Sequence, residues 1–158
     1  MSDRQTKRAP TDLADRQAWL GTLARAPAAA LAEAWAGLNP KPGYRCVRGP
    51  ETGLIMVRGR AGGTGQRFNV GEATVTRCTV ALDDGLTGTS YALGRDRERA
   101  LYAALFDALL QDPARRTVIE RDLLDPVRGA LVAKESATAR KAAATRVDFF
   151  TVAREGSE

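Results

Sequence analysis

The chain has 158 residues, 44% of them hydrophobic and 27% charged, and a net charge of +5; these are values of a soluble globular protein of one domain whose core is large enough to need no staples. It contains no His and only two Cys, Cys46 and Cys78, which removes the commonest general base and the commonest metal ligand and leaves no zinc or iron–sulfur pattern for the chain to complete alone. No apolar run approaches the roughly 18 residues of a membrane span, and the N-terminus lacks the apolar core of a secretory signal, so a cytoplasmic protein is expected.

Of the 24 basic residues four are Lys, leaving 20 Arg. Arg favours bidentate contact with carboxylates and phosphates and tolerates interfaces better than Lys. A codon bias toward Arg explains the excess equally well. The arginines are spread along the chain and no nucleic-acid module appears, so no nucleic-acid partner is expected.

Residues 1–10 are polar and read as a flexible leader, and 153–158 as a flexible tail. Between them, 11–152 read as a single α+β domain. Thr11 or Asp12 caps a first helix reaching about Ala26. Pro27 suits the first turn of a second, in which Leu31, Trp35 and Leu38 recur at helical spacing. Asn39-Pro40-Lys41-Pro42-Gly43 ends it, so the two helices form a hairpin with a Trp in each, and both Trp read as packing residues.

From Tyr44 the pattern changes to strands and glycines. Tyr44–Arg48 predicts a short strand, Gly49–Gly53 a turn, Leu54–Arg60 a strong strand and Ala61–Gln66 a loop. Arg67–Leu82 predicts the return strand, with Gly71 marking a bulge and Thr76, Cys78, Val80 and Leu82 alternating onto a buried face. Asp83-Asp84-Gly85 is a hairpin turn into Thr87–Leu93. The expected architecture is α+β: an antiparallel sheet of about four strands, an N-terminal helical hairpin, and C-terminal helices packed on or beside the sheet.

Asp96 caps a helix from Arg97 to Gln111, with Ala100, Leu101, Ala104, Leu105, Ala108 and Leu109 on one face and Phe106 at its margin. Asp107 reads as lying off that face. Thr117–Leu124 fits a strand or a helical turn. Asp125-Pro126 opens a last helix, an arm over about 126–146 that carries only small and charged residues beyond Val132. The chain then reaches Arg146-Val147-Asp148-Phe149-Phe150-Thr151. Arg146, Asp148, Phe149 and Phe150 are candidate interface anchors; the alternative is that the Phe pair folds back onto the protein's own sheet.

The richest stretch is Arg58–Arg77, with five glycines and four arginines. It is not a Walker loop, because no Gly-Lys-Ser/Thr and no helix follow. Nor is it a dinucleotide fingerprint, because Gly63-Thr64-Gly65 leads into strand. Two readings remain. Arg60, Gly62, Gly63, Thr64, Gly65, Arg67 and Arg77 form an anion nest, or the glycines let a partner's backbone come close. Glu72 lies next to the loop and near Arg77, and an ion pair is the simplest role for it. The threonines and Ser90 have no His to activate them, and no catalytic constellation or metal site emerges.

The order of these pieces resembles one family. Arg16-x-x-Trp19 comes first, then Glu51-Thr52-Gly53-Leu54. Arg60-x-Gly62-Gly63-Thr64-Gly65-x-x-Phe68 and Gly71-Glu72-Ala73-Thr74-Val75-Thr76-Arg77 follow. Asp84-Gly85, Gly94-Arg95-Asp96, Asp107-Ala108-Leu109 and Arg146–Thr151 complete it, so that the match runs from about Arg16 to Arg154. Together they resemble the G subunit of the bacterial carbon–phosphorus lyase system.

The resemblance implies a subunit of a hetero-oligomer with H, I and J subunits, the I subunit being the expected direct contact. With the H and L subunits it would support the I subunit in displacing adenine from ATP by a phosphonate. ATP and the phosphonate are then substrates of the complex, and this chain binds no cofactor itself. The iron–sulfur cluster and S-adenosylmethionine belong to the J subunit. No catalytic residue carries over. The competing expectation is an independent nucleotide- or phosphate-binding domain that uses the glycine-rich loop.

Overall fold

The computed structural model describes residues 12–61 and 64–145. The leader, the tail, Gly62, Gly63 and the candidate anchors Arg146, Asp148, Phe149 and Phe150 lie outside them. Asp12 caps helix α1 (Leu13–Leu23), its carboxylate accepting the Ala14 N–H at 2.9 Å. Helix α2 (Ala28–Ala36) follows Pro27, which sits one position outside the helix as its N-cap. Trp19, Leu23 and Leu31 are fully buried. Trp35 meets Tyr44 and Phe106 edge-on, with ring centroids 5.8 and 6.4 Å away, which ties the helical hairpin to the sheet and to the central helix.

The sheet has three antiparallel strands in the order β1 (Tyr44–Arg60), β2 (Arg67–Leu82), β3 (Thr87–Leu93). About four were expected because Gly49-Pro50 reads as a turn. The pairing instead shifts register between Arg48 and Glu51, and one strand of 17 residues runs through. Among the described residues β1 pairs only with β2, and an edge strand tolerates a residue without an N–H where a central strand does not. Gly85, at φ 88°, turns β2 into β3, and Gly94, at φ 93°, ends the sheet by donating its N–H to Thr74 O at 2.9 Å.

Helix α3 (Arg97–Leu110) is the centre of the molecule. Asp96 caps it, accepting from Arg99 N at 2.9 Å. Every residue from Ala103 to Leu110 is buried, Phe106 and Asp107 included, so the helix is enclosed nearly all round rather than amphipathic. One contact explains its closeness to the sheet: a Cβ on Gly88 would fall 2.0 Å from Ala104 O and 2.5 Å from Ala108 N.

Thr117–Leu124 resolves as helical throughout. Helix α4 (Pro113–Ile119), capped by Asp112, passes through a π-helical turn (Glu120–Leu124) into helix α5 (Asp125–Ala144). Asp125-Pro126 was expected to open a helix, yet Leu124 and Asp125 both keep right-handed helical angles and no side chain caps α5. The wider turn explains this, because Pro126 has no N–H and its ring would crowd the carbonyl four residues back in a regular helix. Asp125 instead pairs with Arg128 at 3.0 Å. Beyond Val127, which is buried, α5 is mostly exposed.

Candidate functional site

β3 pairs with β2 only between Val75 and Ala81. Beyond that, β1 and β2 continue alone as a two-stranded ribbon, Leu54–Arg60 against Arg67–Thr74. At about 3.3 Å per residue it projects roughly 25 Å past β3. The β-branched run Leu54–Val57 lies within it. Leu54, Ile55, Met56, Val57, Phe68 and Val70 are between 40% and 63% exposed, although all six are large and apolar.

The register sorts these side chains onto two faces. Thr52 lies opposite Thr76, and their hydroxyls share a hydrogen bond at 3.1 Å on the face that α3 covers further along. Leu54, Met56, Arg58 and Arg60 continue that face on β1, opposite Thr74, Glu72, Asn69 and Arg67. Ile55, Val57 and Gly59 take the other face, opposite Ala73, Gly71 and Phe68. Val70 is the extra residue of the bulge between Val57 and Arg58; it leans over Gly59, where a Cβ would meet its Cγ2 at 2.7 Å.

Of the seven candidate nest residues, Gly62 and Gly63 lie outside the described residues, and the fold sets Arg77 apart from the other four. Arg60 and Arg67 are directly opposite one another at the ribbon's end, with Thr64 and Gly65 exposed in the connection between them. The Gly65 N–H donates to Ala61 O at 3.4 Å. Arg77 lies ten residues from Arg67 along β2, roughly 30 Å away. It donates its Nε to Glu51 at 2.5 Å, and Arg48 meets the same carboxylate at 3.0 Å. Its guanidinium pKa rises accordingly, first through Glu51 and then through Tyr91. Glu72 sits opposite Met56 and on the other face from Arg77, so the pair expected between them does not form. Alternation along β2 is the signal that separates residues 72 and 77.

One carboxylate that reads as peripheral in the sequence is the best-held among the described residues. Asp107 is fully buried. Its oxygens accept from Arg16 Nε at 3.1 Å, Arg16 Nη2 at 2.7 Å, Trp19 Nε1 at 2.8 Å and the Thr89 N–H at 2.8 Å. These donors occupy its lone pairs, so its work is to join α1, α3 and β3. The signal is its spacing: Asp107 lies three and four residues after the buried Ala104 and Ala103, inside the apolar stripe. The hydrogen bonds to Asp107 also raise the pKa of Arg16.

A cleft of about 700 Å³ lies away from the ribbon tip. It is an open trough between β3 and α5, with Tyr91, Leu93 and Leu131 as apolar lining and Arg25, Arg99 and Lys134 as cations. Arg25 pairs with Glu135 across it at 3.2 Å. Among the described residues no group of three or more His, Cys, Asp or Glu is placed to hold a metal ion, and no helix is long and apolar enough to cross a membrane.

The family model for the phosphonate metabolism protein PhnG matches residues 14–155. A protein of Rhizobium meliloti (strain 1021), the alpha-D-ribose 1-methylphosphonate 5-triphosphate synthase subunit PhnG, is 49% identical over 142 residues, which span 90% of this chain and 90% of that one. The match takes in the ribbon, the Asp107 cluster and the two helices that hold it, so the glycine-rich signature and the fold agree: the chain belongs to the PhnG family of phosphonate metabolism proteins.

Proposed function

We propose that this chain is an accessory subunit of a cytoplasmic complex that joins the ribose triphosphate of ATP to a phosphonate and releases adenine. The name of the Rhizobium meliloti relative supports this, since that protein is a subunit of a synthase whose product is a ribose phosphonate triphosphate. The observation that carries the reading is the bare ribbon. A two-stranded ribbon is marginal in water by itself, and this one exposes six large apolar side chains. A chain built this way is completed by a neighbour. Its expected neighbours are the H, I and J subunits, with the I subunit in direct contact and in charge of the transfer. The iron–sulfur and S-adenosylmethionine chemistry then resides on the J subunit.

Co-expression tests this. The chain and the I subunit should elute as one stable species after affinity and size-exclusion steps. A well-folded chain that elutes alone in the presence of a folded I subunit contradicts it.

A second reading rests on Arg60 facing Arg67 across the ribbon with no carboxylate paired to either among the described residues. Two such cations suit a phosphate as well as a protein carboxylate. Calorimetric titration of the isolated chain with ATP or a phosphonate separates the two. Binding at micromolar ligand favours an independent nucleotide site, and no heat at millimolar ligand favours the subunit.

A further inference from the structure

We infer that the distal β1–β2 ribbon is an insertion arm, seated in a cleft of another subunit of the same synthase that is apolar along both walls and acidic at its inner end. The inference rests on the subunit reading above and adds which surface docks and what it meets.

Three observations lead there. First, both faces of the ribbon are apolar: Ile55, Val57, Phe68 and Val70 on one, Leu54 and Met56 on the other. A flat partner surface would cover one face and leave the other wet, so the partner must enclose the ribbon from both sides.

Second, the apolar character stops at the tip. Arg58, Arg60 and Arg67 share one face there, with Arg60 directly opposite Arg67. Like charges opposite one another disfavour the ribbon in isolation. Carboxylates at the end of the cleft would reverse that sign and fix the depth of insertion.

Third, the described residues do not supply the complementary charge themselves. Glu51 at the ribbon's base is already held by Arg77 and Arg48, and Glu72 is the one carboxylate on the described ribbon. In a ribbon-to-ribbon dimer of this chain, which carries a net charge of +5, three arginines would meet a neutralised base. The charge pattern therefore favours a different, acidic subunit over a second copy.

The test uses the full chain co-expressed with the I subunit. The variants are Phe68→Asp on the apolar face, the pair Arg60→Glu and Arg67→Glu at the tip, and Tyr91→Asp on the sheet outside the ribbon as a control. Each isolated variant is checked for an unchanged melting temperature and helical signal, and Phe68→Ala replaces Phe68→Asp if the latter does not fold.

Phe68→Asp and the Arg pair should each reduce recovered partner about tenfold or more, as loss of a central anchor does, while Tyr91→Asp recovers it like the wild type. Recovery of the partner by both ribbon variants at wild-type level overturns the inference and leaves the subunit reading standing. A wild-type chain that recovers no partner defeats the subunit reading itself. An isolated chain of twice the monomer mass, reduced to monomer by Phe68→Asp, makes a second copy the occupant and also overturns the inference.

Discussion

Arg16 and Asp107 are 91 residues apart in sequence and share two hydrogen bonds, Nε to Oδ1 at 3.1 Å and Nη2 to Oδ2 at 2.7 Å. Asp107 is fully buried, whereas the Arg16 side chain is 31% exposed. The guanidinium thus seals a carboxylate that also holds the indole of Trp19 and the backbone of β3. Arg116 stacks over the same indole at 5.0 Å, which closes the cluster from the α4 side.

Asp107→Ala should therefore be among the most damaging single changes. It strips the acceptor from Trp19 Nε1 and Thr89 N–H and leaves Arg16 without its anion. Breaking a buried pair costs about 3–5 kcal/mol, a large part of the roughly 5–15 kcal/mol that hold a domain together. Arg16→Ala, made at the partly exposed end, should cost less, on the order of 1.5–3 kcal/mol. Urea unfolding followed by the fluorescence of Trp19 and Trp35 measures both. Equal losses would show that the carboxylate is not the hub.

Gly88→Ala should destabilise although it adds a single methyl group. That methyl would sit 2.0 Å from Ala104 O and 2.9 Å from Ala108 Cβ, so β3 must move off α3. Overpacking of this kind costs typically about 1–3 kcal/mol. Gly129→Ala, where nothing lies within 4 Å, is the matched control and should leave the melting temperature unchanged or raise it, since it lies in a helix interior.

The two cysteines should differ sharply in reactivity. Cys46 is exposed and Cys78 buried. Burial first, and the neighbouring Cys46 second, push the Cys78 thiol from 9.0 up to about 11. One equivalent of thiol should react quickly with an alkylating reagent at pH 8, and the second only after unfolding. The raised value also fixes a sign. Below pH 9 the thiol is neutral in both folded and unfolded chains, and its full contribution is present. As pH rises toward 11 the unfolded chain loses its proton first, so stability falls. Over that window the wild type should lose about 2–3 kcal/mol more than Cys78→Ala, measured by denaturant unfolding at each pH. Parallel curves would show that Cys78 titrates normally.

Much of this fold is written locally. Asp12 and Asp96 announce helices as N-caps, Asp83-Asp84-Gly85 announces a hairpin, and alternation from Thr76 to Leu82 marks the buried face of β2. What stays hidden depends on partners distant in sequence. Gly49-Pro50 reads as a turn until β1 is known to be an edge strand. Arg77 reads as a companion of Glu72 until the register places Glu51 opposite it. Asp107 reads as a surface carboxylate until α1 brings Arg16 and Trp19 over it. Pro126 reads as a helix start because no local pattern announces a π-helical turn.

Hydrogen–deuterium exchange of the chain, alone and bound to the I subunit, shows whether the ribbon is the docking surface. In the isolated chain the amides of Leu54–Arg60 and Arg67–Thr74 should exchange fast, since no other described element packs on this ribbon, while those of α3 exchange slowly. In the complex, exchange across both ribbon segments should slow by an order of magnitude or more, with α3 unchanged. A stable complex in which the ribbon exchanges as fast as it does in the free chain, with protection appearing elsewhere, would mean that the subunits dock through another surface.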